Sequence, residues 1–197
     1  MKRWLLLLAA FLTGPLFAQS NAVVLVAKPG LTDPNFKETV VLVTRSPDGA
    51  SVGVILNRPT RQRLAELAPG FAGAEGFPER LYAGGPVMQQ VVVALFFSET
   101  APKDAAFHVL PDIYLTLHPR NIEALLAEPR ERARLYAGFS GWAPNQLEAE
   151  IEAGGWFALR ATESLLFRKE TSNMWRELIE RAGGSRAALN ARDILVP

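Results

Sequence analysis

Cysteine is absent from all 197 residues, and histidine occurs only twice. The first absence excludes disulfides, thiolate metal ligands, a cysteine nucleophile and a lipid-modified N-terminal cysteine, so the core holds itself together by packing alone. The second leaves little for metal or general-base work: His108 and His118 stand ten residues apart, which matches no compact ligand spacing. A basic surplus is missing too. The chain has 21 Lys and Arg against 20 Asp and Glu; without Lys2 and Arg3, the only charges in the first twenty residues, the balance is 19 against 20. Proteins that neutralise phosphate backbones carry a basic stripe, so a dedicated nucleic-acid role is disfavoured. Phosphate loops are also lacking: "YAGGPV" has neither a Gly-Lys-Ser/Thr ending nor the six-residue glycine fingerprint, and its glycines suit a backbone turn or a close strand contact.

What is present begins with a targeting layout. "MKRWLLLLAAFLTGPLFAQSNA" opens on two positive residues, runs apolar from Trp4 to Leu12, breaks at Gly14-Pro15 and ends among small residues. Its apolar run is too short for a membrane span, which needs about 20 residues. Residues 1–20 are therefore expected to be a signal peptide, cut after Ser20 in preference to Ala18, with the body at 21–197. That places the mature protein outside the cytoplasm, periplasmic or secreted, and leaves no transmembrane span after cleavage. A cytoplasmic location with the segment uncleaved is the alternative. A hydrophobic fraction of 49% with 21% charged residues suits one globular domain.

Along the body, "VVLVA" from Val23 is a wholly apolar, β-branched run and predicts a buried strand at the mature N-terminus. "LTDPNF" predicts a single helical turn, and "TVVLVTR" and "SVGVILNR" around "SPDG" predict a hairpin. "RLAELA" gives a short helix, followed by a long surface excursion to Glu79; "LYAGGPV" then enters the strand "VVVALFFS", and "HVLPDIYLTLH" adds one or two more. A helix opened by Pro119 and stopped by Pro129 precedes a strand ending at Trp142. "PNQLEAEIEAG" predicts a short helix, "WFALRA" a strand, "ESLLF" a helical turn and "SNMWRELIERAGG" a last helix whose Trp175, Leu178 and Ile179 face the core. The sum is one α+β domain with a mainly antiparallel, strongly curved or barrel-like sheet and flanking short helices.

In order, "DPNFKETVVLV", "GVILNRPT", "LYAGGPV", "YAGFSGWAPNQLEAEI", "GGWF" and "MWREL" make the chain similar to the YqgE/AlgH family from about Val23 to Ala182. The resemblance implies a compact α+β fold around a curved antiparallel sheet. It supplies no catalytic residues and no cofactor; transcriptional regulator is a common label in that family. Three departures stand out. The histidines usual at the first hairpin turn and after "GGPV" are replaced by "TRSPDG" and "LFFSET"; the glycine usual before "QLE" is Asn145; and the N-terminal extension lies outside the resemblance.

Candidate chemistry concentrates in "GFSGWAPNQLEAEIEAGGWF". Ser140 in "GFSGW" lacks the second glycine of a nucleophile elbow, and both histidines precede it, against the chain order of that fold. No catalytic residue and no metal ligand is assigned. Helical phase puts Leu147 and Ile151 on the buried side, Gln146 and Glu150 beside them, and Glu148 and Glu152 on the solvated side. The bland expectation is that Gln146 and Glu150 satisfy backbone groups of the preceding turn. The sharper one is a polar recess of Asn57, Arg58, Trp142, Gln146 and Glu150, with the Arg58 guanidinium paired to Glu150 or holding a small anionic ligand. "EPRERARLY" mixes Arg130, Arg132 and Arg134 with two glutamates and reads as a solvated face, with phosphate binding the minority reading. The function expected is a non-enzymatic binding or regulatory module with a protein or a small anion as partner. A cytoplasmic transcriptional regulator and a hydrolase with an unfamiliar site are the rivals.

Overall fold

The computed structural model describes residues 22–46, 48–128 and 132–183; the expected signal peptide at 1–20 and Arg130 lie outside the described residues. The elements run β1 (Ala22–Ala27), β2 (Val40–Arg45), β3 (Ser51–Ile55), β4 (Pro59–Arg63), α1 (Leu64–Leu67), a 3-10 turn (Ala74–Gly76), β5 (Arg80–Ala83), β6 (Val87–Phe97), β7 (Phe107–Leu110) and β8 (Ile113–Thr116). They continue with α2 (Pro119–Ala127), β9 (Ala133–Trp142), α3 (Gln146–Glu152), β10 (Trp156–Arg160), α4 (Glu163–Leu166) and α5 (Met174–Gly183). Ten strands form one strongly curled, mostly antiparallel sheet: eight follow the order β10-β1-β2-β3-β9-β6-β8-β7, and β5 branches from β9 carrying β4, so the expected α+β class and curved sheet are what the chain forms.

The apolar runs have a direct cause: both faces of the sheet are covered. Along β1, Val24 and Val26 join one core with Leu42, Tyr136, Leu166 and Leu178, beneath α4 and α5. Val23, Leu25 and Ala27 point to the opposite face and pack with Ile55, Trp142, Leu147 and Trp156 under α3. β6 repeats the pattern: Val93 and Leu95 share the first core, whereas Val92, Ala94 and Phe96 pack against Ile122, Leu125 and Leu126 of α2. A strand buried on both faces reads as continuous apolar sequence rather than as alternation.

Three expectations change. Residues 59–63 form strand β4, which no hydrophobic pattern announces because its side chains alternate between exposed and half-buried. The stretch to Glu79 is not a free excursion: Phe71, Ala74 and Phe77 pack with Leu125 and Leu126, so it is pinned to α2. "LYA" is its own strand rather than the start of β6. Tyr82 and Ala83 pair in parallel with Tyr136 and Ala137 of β9, and Gly84-Gly85 separates the two strands.

That glycine pair meets the bend in β9. A Cβ on Gly84 would sit 2.1 Å from the Gly138 carbonyl oxygen, and Gly138 itself holds φ +70°. On one side of this bend β9 pairs with β5, beyond it with β3, so Gly138 is where β9 passes from one partner to the next. The close strand contact expected of "YAGGPV" is thus its role.

Candidate functional site

The "GFSGW…GGWF" stretch folds as a corner. β9 ends at Trp142, and the chain turns through Asn145 at φ +66° into α3, which Gly154 at φ +82° closes before Trp156 opens β10. A left-handed conformation at 145 explains the Gly-to-Asn exchange: asparagine is among the few side chains that tolerate it. Because Gln146 and Glu150 lie one helical turn apart, they meet each other, and Glu150 also meets the two indoles. Glu150 Oε2 accepts from Trp142 Nε1 and from Trp156 Nε1, each at 3.0 Å, and its Oε1 accepts from Gln146 Nε2 at 3.0 Å. Gln146 Oε1 accepts from the Ala143 backbone N–H at 3.1 Å. The indole rings meet edge to face at 6.4 Å, and Phe36 stacks on Trp142 at 5.5 Å. Burial leaves Trp142 3% and Trp156 2% exposed, so each indole N–H needs an acceptor, and one carboxylate serves both.

Asn57 and Arg58 reach this corner only through the 33–39 turn. Asn57 Oδ1 accepts from Val40 N at 2.8 Å and its Nδ2 donates to the Glu38 carbonyl at 2.9 Å. Arg58 donates from Nη1 to Asn35 O at 2.6 Å and from Nη2 to Lys37 O at 3.1 Å. Partial burial lowers the Arg58 pKa, with Asp33 pulling the other way. The guanidinium therefore grips the turn from behind while Phe36 enters the aromatic corner, and it is those carbonyls, not Glu150, that it engages. Of the five residues of the expected recess, Trp142, Gln146 and Glu150 form one hydrogen-bonded group, whereas Asn57 and Arg58 bond to backbone groups of residues 35–40. Glu148 departs from its expected solvated side: it pairs with Arg45 at the end of β2, where Pro144 ahead of α3 comes close to Gly49 of the β2–β3 turn. Glu152 is exposed as expected.

Ser140 is fully buried, and its hydroxyl donates to the Gly84 carbonyl at 3.1 Å, beside the Ile55 N–H that donates to the same oxygen at 3.0 Å. It is a fastener of the β3–β5–β9 junction. Ser140→Ala should cost about 1 kcal/mol in urea unfolding and leave any ester-cleaving activity of the purified chain unaltered. A loss of such activity in a folded variant would restore the nucleophile.

A feature the sequence did not announce is an open cavity of about 710 Å³ between β2, the start of β7 and the start of α2. Thr44, Ala105, Ala106, Phe107 and Leu117 contribute to its walls, and His108 and His118 both line it. His108 is exposed on edge strand β7, 5.3 Å from the Tyr114 ring, and half-buried His118 has its Nε2 3.8 Å from Asp104 Oδ1. His118 Nδ1 is buried without a hydrogen-bond partner. The one signal available in sequence was that both histidines bound the same predicted strand segment, "HVLPDIYLTLH". Among the described residues, no group of three His, Asp or Glu side chains converges as a metal site would require.

The AlgH-like family model matches residues 24–187, so this curled-sheet chain belongs to that family. A UPF0301 protein of Myxococcus xanthus is 36% identical over 168 residues, covering 84% of this chain and 92% of that one. A UPF0301 protein of Thermobifida fusca is 32% identical over 176 residues, 85% and 89% of the two chains. Among solved structures, the solution structure of AlgH from Pseudomonas aeruginosa superimposes with a TM-score of 0.68 at 24% identity, covering 86% of this chain and 92% of that chain; it shows the fold. A crystal structure of a Corynebacterium diphtheriae protein gives 0.63 at 27% identity, covering 82% and 86%.

Proposed function

We propose that this AlgH-like chain is a non-enzymatic binding module acting outside the cytoplasm, and that it takes a small molecule with an apolar body and one hydrogen-bonding group in the cavity between β2, β7 and α2. The observation that carries the reading is that cavity: about 710 Å³, within the range of roughly 300–1,000 Å³ typical of small-molecule sites, with mostly apolar walls, two imidazoles, Thr44 and an Arg45 already paired to Glu148. In this reading the His118 imidazole at its wall supplies the polar contact that fixes orientation. Binding rather than catalysis is favoured because Ser140 is spent on Gly84 and Glu150 on two indoles. Export is supported by the layout of residues 1–20 and by the start of β1 at Ala22, directly after them.

A neutral apolar fluorophore, N-phenyl-1-naphthylamine, should bind the purified chain saturably. Ala106→Trp, which fills the cavity from its wall, should weaken that binding about tenfold, or about 1.4 kcal/mol, with unchanged circular dichroism. Equal binding by the filled variant would remove the cavity reading. Fractionation of the native host with N-terminal sequencing tests export separately. An intact Met1 in the soluble cytoplasm would favour the cytoplasmic regulator that the family label suggests.

A further inference from the structure

A second cavity of about 390 Å³ opens between β4, β5, the start of β9 and residues 167–169, sharing no lining residue with the first. Its charged residues are Arg80, Arg134 and Lys169 against Glu79, three cations to one carboxylate, a net of two positive charges. Basic rims are common, and exposed Arg80 and Lys169 alone would mean little. Arg134 changes this. The sequence suggested a solvated arginine, yet it is 5% exposed, because β9 carries it beneath the loop after α4.

Its surroundings fix it without neutralising it. Nη1 donates to the Leu166 carbonyl at 3.1 Å and Nη2 to the Arg168 carbonyl at 2.6 Å, while the guanidinium carbon stands 4.4 Å from the centre of the Tyr82 ring. Two of the five N–H donors of a guanidinium are thereby used. Among the described residues no carboxylate forms an ion pair with it; Arg132, two residues earlier on the chain, takes Glu163 instead. A second unsatisfied group lies close by: the hydroxyl of fully buried Tyr136 has no hydrogen-bond partner. Burial pushes its pKa well above the ordinary tyrosine range, and the neighbouring Arg134 guanidinium pulls the other way. A rigid, buried, charge-unpaired guanidinium at the wall of a cavity is the arrangement that recognises oxyanions, since the desolvation cost is met only when an anion arrives.

We propose that this cavity binds a small organic dianion of the phosphomonoester class, with Arg134 as the buried anchor and Arg80 and Lys169 closing on it from the rim. The net of two positive charges matches a dianion, and the volume exceeds what a bare phosphate fills, leaving room for a short organic group. Phosphate oxygens pair in the fork geometry that a guanidinium offers.

The test is calorimetric titration of the purified full-length chain with glycerol 3-phosphate, succinate and glycerol at low salt. Glycerol 3-phosphate should bind, more weakly as salt is added, and glycerol should not. Arg80→Ala and Lys169→Ala, both at exposed positions, should each weaken binding about tenfold while circular dichroism stays unchanged. Arg134→Lys, which keeps a charge but not the fork, should lose still more. Absence of heat from glycerol 3-phosphate up to about 10 mM, or binding unchanged in the double variant Arg80→Ala with Lys169→Ala, overturns the site. Tighter binding of succinate overturns the phosphomonoester assignment.

Discussion

Gly84→Ala should be among the most damaging single-methyl additions the described chain can receive. The new Cβ would lie 2.1 Å from the Gly138 carbonyl oxygen and 3.0 Å from Tyr136 Cβ, and the nearest obstacle is backbone rather than a movable side-chain tip. Relief requires β5 to part from β9. That would strain the Gly84 N–H to Ala137 carbonyl bond of 2.9 Å and the two bonds that Ile55 and Ser140 make to the Gly84 oxygen. Overpacking of this kind costs about 3 kcal/mol or more, which for a domain of this size lowers the melting temperature by roughly 6–12 °C. Gly30→Ala is the matched control: nothing lies within 4 Å of its Cβ position, and the change should fall within about 0.5 kcal/mol of neutral. Equal melting temperatures for the two variants would refute the junction as described.

The second large effect is expected at Glu150. Glu150→Ala removes the acceptor of two nearly buried indole N–H groups and of Gln146 at once. Hydrogen bonds to a charged acceptor contribute about 1.5–3 kcal/mol each, and orphaned buried donors add to the loss, so about 2–4 kcal/mol is the expected cost in urea unfolding. Glu150→Gln keeps a carbonyl oxygen for the indoles and should lose about half as much. The emission of Trp142 and Trp156 should shift in the alanine variant, whereas Trp175, which donates to the Ala27 carbonyl at 2.7 Å, reports on α5 and should not. A Glu150→Ala protein with unchanged stability and unchanged emission would mean that the carboxylate does not hold the corner.

How much of this was legible depended on whether a residue's neighbours lie near it in the chain. β1, β2, α2 and α3 follow from local pattern, since their apolar residues recur at the spacing of the face they bury. The helical phase of α3 correctly sent Leu147 inward and Glu152 outward. It failed for Glu148 because periodicity specifies a direction and not what stands there, and Arg45 comes from a strand about a hundred residues earlier. β4 was invisible for the opposite reason: its strand character comes from pairing with β5, not from an apolar face. Arg134 was misplaced because interleaved Glu and Arg suggest solvent, and only the closure of the 166–168 loop over β9 buries it. The proximity of Trp142, Gln146 and Glu150 was legible because one turn and one helix join them. Their distance from Asn57 and Arg58 was not legible, since the 33–39 turn that intervenes is a third segment.

The larger cavity has a consequence for how members of such a family are to be sorted. Its walls come from Thr44 and Arg45, from 105–108 and from 117–119, none of which falls within the stretches that make the chain recognisable. Those stretches build the glycine junction and the tryptophan corner, so a match to them certifies a chassis and is silent about cargo. On the function proposed above, grouping relatives by what stands at 105–108 and 117–119 would sort them by ligand, a partition that overall identity does not provide.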